Sequence, residues 1–118
     1  MDKYCISKDY TIKEAIEHID RNRDRVAIVR NLEKKVIGVV SQGDIIRALI
    51  SGKSLYTRVE RILRSNFLYL NENDIEEAYK LFRKIKITLL PIVDDEFYLT
   101  GIINMDNIYQ YMEEKCKN

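Results

Sequence analysis

The sequence has little of what identifies several specialised protein classes. Its 118 residues include only two cysteines and one histidine. Cys5 and Cys116 lie near opposite ends of the chain, so they form no disulfide framework, and reduced thiols in a cytoplasmic protein are the expected state. The single histidine, His18, excludes the usual histidine-rich metal sites.

Long apolar runs and an excess of one charge are also missing. No apolar stretch approaches the ~20 residues that a membrane span needs, and residues 1–4 lack the apolar segment of a signal peptide. The net charge of +1 argues against electrostatic binding of nucleic acid, and Arg58, Arg61 and Arg64 form only one short basic stripe. No cysteine has a paired histidine. We therefore expect a cytoplasmic globular domain that is not an enzyme and contacts neither membrane nor nucleic acid.

The sequence does contain an internal duplication. Residues 11–15 (Thr-Ile-Lys-Glu-Ala) align with residues 74–78 (Asp-Ile-Glu-Glu-Ala), and Gly38 aligns with Gly101, both with a shift of 63 positions. The alignment needs no gap from the first helix through the last. We interpret the two halves as copies of one supersecondary unit.

Each copy shows the pattern of a helix, two strands and a closing helix. Thr11 with Glu14, and Asp74 with Glu77, have the spacing of a helix cap, and apolar residues follow at helical intervals. Opening segments precede the caps at 5–7 and 68–70. The strands and closing helices are predicted at 26–29, 36–40 and 42–51 in the first copy, and at 89–93, 98–103 and 105–114 in the second.

These elements predict an α+β fold of two repeated β-β-α units with preceding helices. Gly52 ends the first closing helix, and Thr57 with Glu60 caps a short connecting helix. No stretch rich in Gly and Ser separates the copies, so we expect them to pack as one pseudo-twofold body. The predicted boundaries are 5–52 for the first domain, 53–64 for the connecting helix and 65–115 for the second domain.

The junction of the second strand and the closing helix of copy one is the main candidate site. Ser41 and Asp44 have the spacing of a capping box, which needs no ligand. The same arrangement also suits a nucleotide, because helix amides attract phosphate and a carboxylate accepts from ribose hydroxyls. The spacing leaves both interpretations open.

Taken together, the duplicated unit resembles a tandem pair of cystathionine-β-synthase (CBS) domains, called a Bateman module. Leu90-Pro91-Ile92-Val93 matches the family's apolar strand h-P-V-V, and residues 38–44 match its G-h-h-T/S-x-x-D motif. Residues 40–49, followed by Gly52 and Ser54-Leu55, are most similar to the CBS pair that precedes sugar-phosphate nucleotidyltransferase domains. The resemblance implies either the regulatory front of a longer protein or a stand-alone relative.

The resemblance implies an adenosine-containing ligand, such as AMP, ADP or ATP, in a cleft between the two units, with no required cofactor and no catalytic residue. Asp44 would accept from the ribose hydroxyls, Ser41 would donate to ribose or phosphate, and Gly43 would allow close approach. An alternative for the arginines before the strand is a solvated turn. The other expected ligand residues are the apolar walls Ile6, Val26, Ala27 and Ile28, with Arg25 and Arg23 near phosphate.

The second copy departs from this pattern. Asn104 and Asn107 replace the hydroxyl and the carboxylate, and a neutral acceptor is expected to lose about 1 kcal/mol or more. The alternative is that Asn104 or Asp106 merely caps the last helix. The expected weaker site comprises Asn104, Asn107, Tyr69, Leu89, Leu90 and Pro91.

Two functions fit the sequence. The first is a regulatory module that senses a nucleotide and controls an attached or partner enzyme, a sugar nucleotidyltransferase by resemblance. The alternative is a ligand-free dimerisation module, and we expect a homodimer in either case. For Met112 and Val59 a place in the internal core is the favoured interpretation. The candidate contacts are Leu55, Val59, Leu63, Tyr109, Tyr111 and Met112.

Overall fold

The computed structural model describes residues 2–117. The chain divides into two compact units, one ending at Phe67 and the other beginning at Leu68. Within residues 2–117, every helix is too short or too polar to span a bilayer.

The first unit contains a three-stranded sheet in the order β1-β2-β3. Strand β1 runs parallel to β2, and β2 runs antiparallel to β3 with Val26 opposite Ser41. A 3-10 helix precedes β1 and another follows α2. The elements are the 3-10 helix Asp2–Tyr4, β1 Cys5–Ser7, α1 Ile12–Arg21, β2 Val26–Arg30, β3 Val36–Ser41, α2 Gln42–Ile50 and the 3-10 helix Val59–Arg61.

The two helices of this unit bury their apolar faces against the sheet. Alternate strand residues point toward the helices, as the two-residue period of a strand requires. The buried core comprises Ile6, Ile12, Ala15, Ile19, Ala27, Val29, Val40, Ile45, Ala48 and Val59.

The second unit repeats the arrangement with a shorter sheet. Its antiparallel strands β4 and β5 are joined on one edge by a single parallel bridge between Leu70 and Ile92. This bridge takes the place that β1 has in the first unit. The elements are α3 Ile75–Lys84, β4 Leu89–Val93, β5 Leu99–Asn104 and α4 Met105–Cys116, and the core comprises Ala78, Leu90, Ile92, Ile103 and Ile108.

Strand pairing confirms the predicted duplication. Val26 pairs with Ser41 in the first unit, and Leu89 pairs with Asn104 in the second, so both partners shift by 63 positions. The register irregularity also recurs, because it falls after Val29 in one sheet and after Ile92 in the other. The α+β fold with a repeated β-β-α unit is therefore confirmed.

Among the four α-helices, α1, α2 and α4 begin with a reciprocal capping box, whereas α3 has only half of one. Thr11 and Glu14 form a reciprocal capping box, with Glu14 N 3.2 Å from Thr11 Oγ1 and Thr11 N 3.1 Å from Glu14 Oε1. Asp74 accepts from Glu77 N at 3.1 Å, but its own amide donates to the carbonyl of Glu72 rather than to Glu77. The boxes that open α2 and α4 are described with the candidate site.

The connecting segment differs from the predicted capped helix. Only Val59–Arg61 is helical, as a single 3-10 turn, and its N-cap Arg58 makes no side-chain capping bond. The surrounding backbone bonds outward instead: Thr57 accepts from Ile12 N at 2.8 Å, and Arg64 N donates to Val39 at 2.9 Å. These bonds hold the segment extended against the first unit. Gly52 ends α2 as predicted, with a φ of 99°.

Gly38 permits the close approach of this segment to β3. A Cβ atom at Gly38 would lie 2.6 Å from the carbonyl oxygen of Arg64 and 2.7 Å from Leu63 Cδ1. At the equivalent Gly101, a Cβ atom would meet only the side chain of Ile92, at 3.3 Å. The two glycines therefore occupy the same place in the repeat under different steric constraints.

We predict that Gly38→Ala lowers the free energy of unfolding by about 2 kcal/mol, because the backbone of Arg64 must move to accept the methyl group. The matched control Gly101→Ala should change it by less than about 1 kcal/mol, since the terminal atom of Ile92 can rotate away. Urea denaturation of the two variants measures the difference. An equal loss of unfolding free energy in the two variants would contradict the steric role given to Gly38.

Candidate functional site

Strand β3 passes directly into helix α2 at Ser41, which has the extended backbone of an N-cap residue. Asp44 N donates to Ser41 Oγ at 3.1 Å, and Ser41 N donates to Asp44 Oδ2 at 2.9 Å. The predicted capping box is therefore confirmed. The amide of Gln42 donates to the carbonyl of Arg25 at 3.1 Å, so it is not available to a ligand, in contrast to the expectation for this helix end.

The carboxylate of Asp44 also holds two arginines. Its Oδ1 atom accepts from Arg47 Nη2 at 2.6 Å and from Arg64 Nε at 2.9 Å. The Asp44 side chain is 8% exposed, whereas those of Arg47 and Arg64 are 63% and 58% exposed. A nearly buried negative charge thus lies beneath two solvent-facing positive charges.

Different parts of the fold bring the two arginines to this atom. Arg47 lies one turn after Asp44 on α2, and i,i+3 spacing places both on one helix face. Arg64 arrives from the connecting segment, which pairs with Val39 on β3. The i,i+3 spacing in the sequence could have indicated the contact of Arg47 with Asp44. No local pattern indicates the contact of Arg64, which is twenty residues away.

The predicted basic stripe is not a free surface. Arg64 binds Asp44, and Arg58 Nη1 donates to the carbonyl of Asp9 at 2.7 Å. Two of the three arginines in the stripe are therefore directed to specific acceptors within the first unit.

The environment of Asp44 favours its ionised form. Burial raises the pKa of the carboxyl group. Hydrogen bonds from Ser41 and Arg47 and the positive charge of Arg64 lower the pKa by more than burial raises it, so the pKa lies below its usual value. Asp44 is therefore a charged acceptor at neutral pH, as a partner for hydroxyl donors must be.

A buried asparagine supports the turn that faces this helix end. Asn22 accepts from the amide of Arg25 at 2.8 Å and donates to the carbonyl of Val26 at 3.0 Å. These bonds hold Arg25 at a positive φ of 58°. The Arg25 guanidinium lies 3.4 Å from Asp20 in an exposed pair, which agrees with the solvated-turn alternative and stabilises little. No local pattern in the sequence predicted this role of Asn22.

The other predicted ligand residues of the first copy are mostly buried. Ile6 and Ala27 belong to the core, Ile28 is fully buried, and Val26 is half-buried. In this conformation Ile6, Ala27 and Ile28 present almost no side-chain surface to a ligand. Gly43 lies under Arg47, because a Cβ atom there would be 3.3 Å from Arg47 Nη1.

The second copy builds the same capping box from two neutral residues, although Asp106 also lies in the first turn of α4. Asn107 N donates to Asn104 Oδ1 at 3.1 Å, and Asn104 N donates to Asn107 Oδ1 at 2.9 Å. The capping alternative for Asn104 is thus observed. Tyr69 lies edge-on to Phe97 with ring centroids 5.2 Å apart. The remaining residues predicted for this site are buried: Leu89, Leu90 and Pro91.

Metal-ligating residues do not cluster anywhere in residues 2–117, where no three His, Cys, Asp or Glu side chains form a potential metal site. Cys5 is buried and Cys116 is exposed, and neither forms a disulfide. His18 is half-buried, and burial lowers its pKa.

Comparison with known proteins identifies the family. The sequence profile of the CBS domain matches residues 1–51 and 59–114. The chain belongs to the CBS domain family. Its two matched stretches correspond to the two units, so the chain is a tandem CBS pair.

Solved CBS pairs share this fold. A putative acetoin utilization protein, AcuB, from Vibrio cholerae superposes with a TM-score of 0.82 at 21% identity, over 97% of this chain and 85% of that one. The CBS domain protein PAE2072 from Pyrobaculum aerophilum, complexed with AMP, has a TM-score of 0.75 at 21% identity, over 93% of this chain and 90% of that one.

A curated relative is a longer enzyme. Arabinose 5-phosphate isomerase GutQ from Salmonella typhi is 32% identical over 101 residues, which are 85% of this chain and 32% of that protein. The chain therefore spans about a third of the length of this relative.

We predict that the contribution of the Asp44 charge to stability depends on pH. Because the folded pKa lies below the unfolded value of about 3.9, this contribution is complete above that value and is lost as the pH falls through the folded pKa. Asp44→Asn should therefore lower the free energy of unfolding by about 2 kcal/mol at pH 7 and by progressively less below pH ~4.

Urea denaturation of both proteins between pH 7 and pH 3 measures this effect. The control is Asp74→Asn, which changes the exposed N-cap of α3 into another good cap residue and should have little effect at either pH. The prediction is contradicted if the free energy of unfolding of Asp44→Asn differs from that of the unmodified protein by the same amount at pH 7 and at pH 3.

Proposed function

We propose that the chain is a regulatory module that binds an adenosine nucleotide at the β3–α2 junction of its first CBS domain. The observation that carries the proposal is the charge of Asp44. Asn104 and Asn107 build a capping box with the same pair of distances, so the helix end does not require a carboxylate. Burying a charge is costly. In this conformation the charge at position 44 holds Arg47 and Arg64, and the proposal is that a ligand with hydroxyl groups uses the same charged acceptor.

The ribose of the nucleotide accounts for the residue types at this junction. Asp44 would accept from the ribose hydroxyls, and the hydroxyl of Ser41 would donate to ribose or phosphate. Gly43 would allow close approach of the ligand to the backbone once the side chain of Arg47 turns away. The proposed base-binding residues are the half-buried Val26 and, after a local rearrangement, Ile6, Ala27 and Ile28, with Arg25 near phosphate.

The AMP complex of PAE2072 supports this ligand class, since that protein has the same fold. For the second domain we propose weaker binding, because Asn104 and Asn107 are neutral and Tyr69 is packed against Phe97. No cofactor is required in this proposal.

The proposed target of regulation is an enzyme of sugar phosphates, in the same chain or as a partner. The motif at residues 40–55 favours a sugar nucleotidyltransferase. GutQ, whose name gives it a sugar-phosphate isomerase activity, supports the broader class, since it is 32% identical to this chain over 101 residues. A cytoplasmic location stays a prediction.

We predict that AMP raises the melting temperature of the protein. A ligand at ten times its dissociation constant adds about 1.4 kcal/mol to the free energy of unfolding. Asp44→Ala should remove the stabilisation by AMP, because the ribose loses its charged acceptor. The matched control Asn107→Ala truncates the equivalent cap residue in the second unit and should leave most of the stabilisation in place.

Thermal unfolding with AMP, ADP and ATP in turn measures these effects. The proposal is wrong if none of the three nucleotides shifts the melting temperature, or if Asp44→Ala responds to AMP as the unmodified protein does.

Dimerisation is a second candidate function, and exposed apolar residues at equivalent places in the repeat favour it. Ile46 on α2 and Tyr109 on α4 lie 63 positions apart and are 50% and 58% exposed. Met112 is 41% exposed, so the favoured core placement of this residue is wrong. Val59 is fully buried, as that same interpretation expected, and Leu63 packs against the core.

We predict a homodimer whose contacts include Ile46 and Tyr109. Light scattering after size-exclusion chromatography should give twice the mass of one chain, and Ile46→Glu should reduce it to one chain by placing a charge on the apolar face. The control is Leu32→Glu, since Leu32 is 81% exposed in the β2–β3 turn. A single-chain mass for the unmodified protein at high concentration would exclude this function.

A further inference from the structure

The Asp44 carboxylate has little remaining capacity for hydrogen bonds. Each carboxylate oxygen has two lone pairs. Both lone pairs of Oδ1 are used by Arg47 and Arg64, and one lone pair of Oδ2 is used by the amide of Ser41. Two ribose hydroxyls need two acceptor positions, so they cannot both bind Asp44 unless an existing bond breaks.

The arginine bonds are the ones that can be exchanged. The bond from Ser41 N belongs to the helix cap, and breaking it would expose an unpaired amide. The side chains of Arg47 and Arg64 are more than half exposed, so both have room to turn toward another partner. An arginine that leaves Asp44 gives up a charged hydrogen bond and regains its value only from another anion.

We infer that a phosphate group is obligatory for tight binding, because it replaces Asp44 as the partner of an arginine while the ribose takes the freed Oδ1. This inference rests on the proposed function and specifies its ligand class. A nucleotide supplies hydroxyls and an anion together, so each charged group keeps a charged partner. A neutral nucleoside supplies the hydroxyls alone and leaves the displaced arginine uncompensated.

The place of Arg64 in the chain connects this exchange to regulation. Arg64 belongs to the segment that pairs with Val39, and it lies three residues before the boundary of the first unit at Phe67. Release of its side chain from Asp44 leaves this end of the segment held by the backbone bonds of Arg64 to Val39. Ligand binding is thereby sensed at the stretch of chain that joins the two units.

Calorimetric titration of the full chain with AMP and with adenosine tests the inference. The unmodified protein should bind AMP at least about tenfold more tightly than adenosine, which corresponds to one charged hydrogen bond. In Arg64→Gln the affinity for AMP should fall about tenfold, whereas the affinity for adenosine should stay or rise, because Oδ1 is already free. Arg47→Gln should likewise lower the affinity for AMP while the affinity for adenosine stays or rises. This variant replaces Arg64→Gln in the test if Arg64→Gln does not fold.

Arg61→Gln is the matched control for general loss of one positive charge. Arg61 is exposed and lies on the same segment, three residues before Arg64, so its removal should leave the ratio of the two affinities unchanged. The inference is overturned if AMP and adenosine bind the unmodified protein equally, or if the arginine variants lose affinity for both ligands in the same proportion. In both cases the proposed function survives. Absence of binding by AMP, ADP and ATP alike would overturn both.

Discussion

A buried carboxylate needs hydrogen-bond donors and positive charge around it, and the first domain supplies both at Asp44. Desolvation of a charge costs several kcal/mol, so the side chain is stable only with its cap bond to Ser41 and its two arginine partners. Arg47 comes with the helix itself. Arg64 comes from outside it and reaches Asp44 only because the connecting segment is held on β3. The geometry of one side chain thus depends on three parts of the fold.

Gly38 follows from the same requirement. The segment that carries Arg64 can pair with Val39 only if no side chain at position 38 separates the two backbones. The equivalent Gly101 has an ordinary environment, because a Cβ atom there would meet only the side chain of Ile92. The duplication therefore preserves strand register and helix caps in both copies. The close backbone approach at Gly38 and the buried charge at Asp44 are found in the first copy.

Local features of the sequence predicted most of the fold and only part of the site. Caps and apolar periodicity act within a few residues, so the box at Ser41 and the shift of 63 positions were visible in the sequence. The partner of Asp44 at position 64 is twenty residues away and depends on how the connecting segment packs. The same packing explains why a capped helix was wrongly predicted there, since its backbone groups bond to Val39 and Ile12 instead.

The two copies together separate the roles of structure and ligand at the helix end. Asparagines 104 and 107 form the box with distances of 2.9 and 3.1 Å, as Ser41 and Asp44 do, so hydrogen-bond geometry alone gives no preference for aspartate. The aspartate adds a charge that must be desolvated and then neutralised by arginines. Each arginine gives up a charged hydrogen bond when it leaves Asp44, so the exchange is favourable only if another anion takes the arginine. A ligand that has both hydroxyls and an anion gives Asp44 new donors and gives the released arginine a new anionic partner.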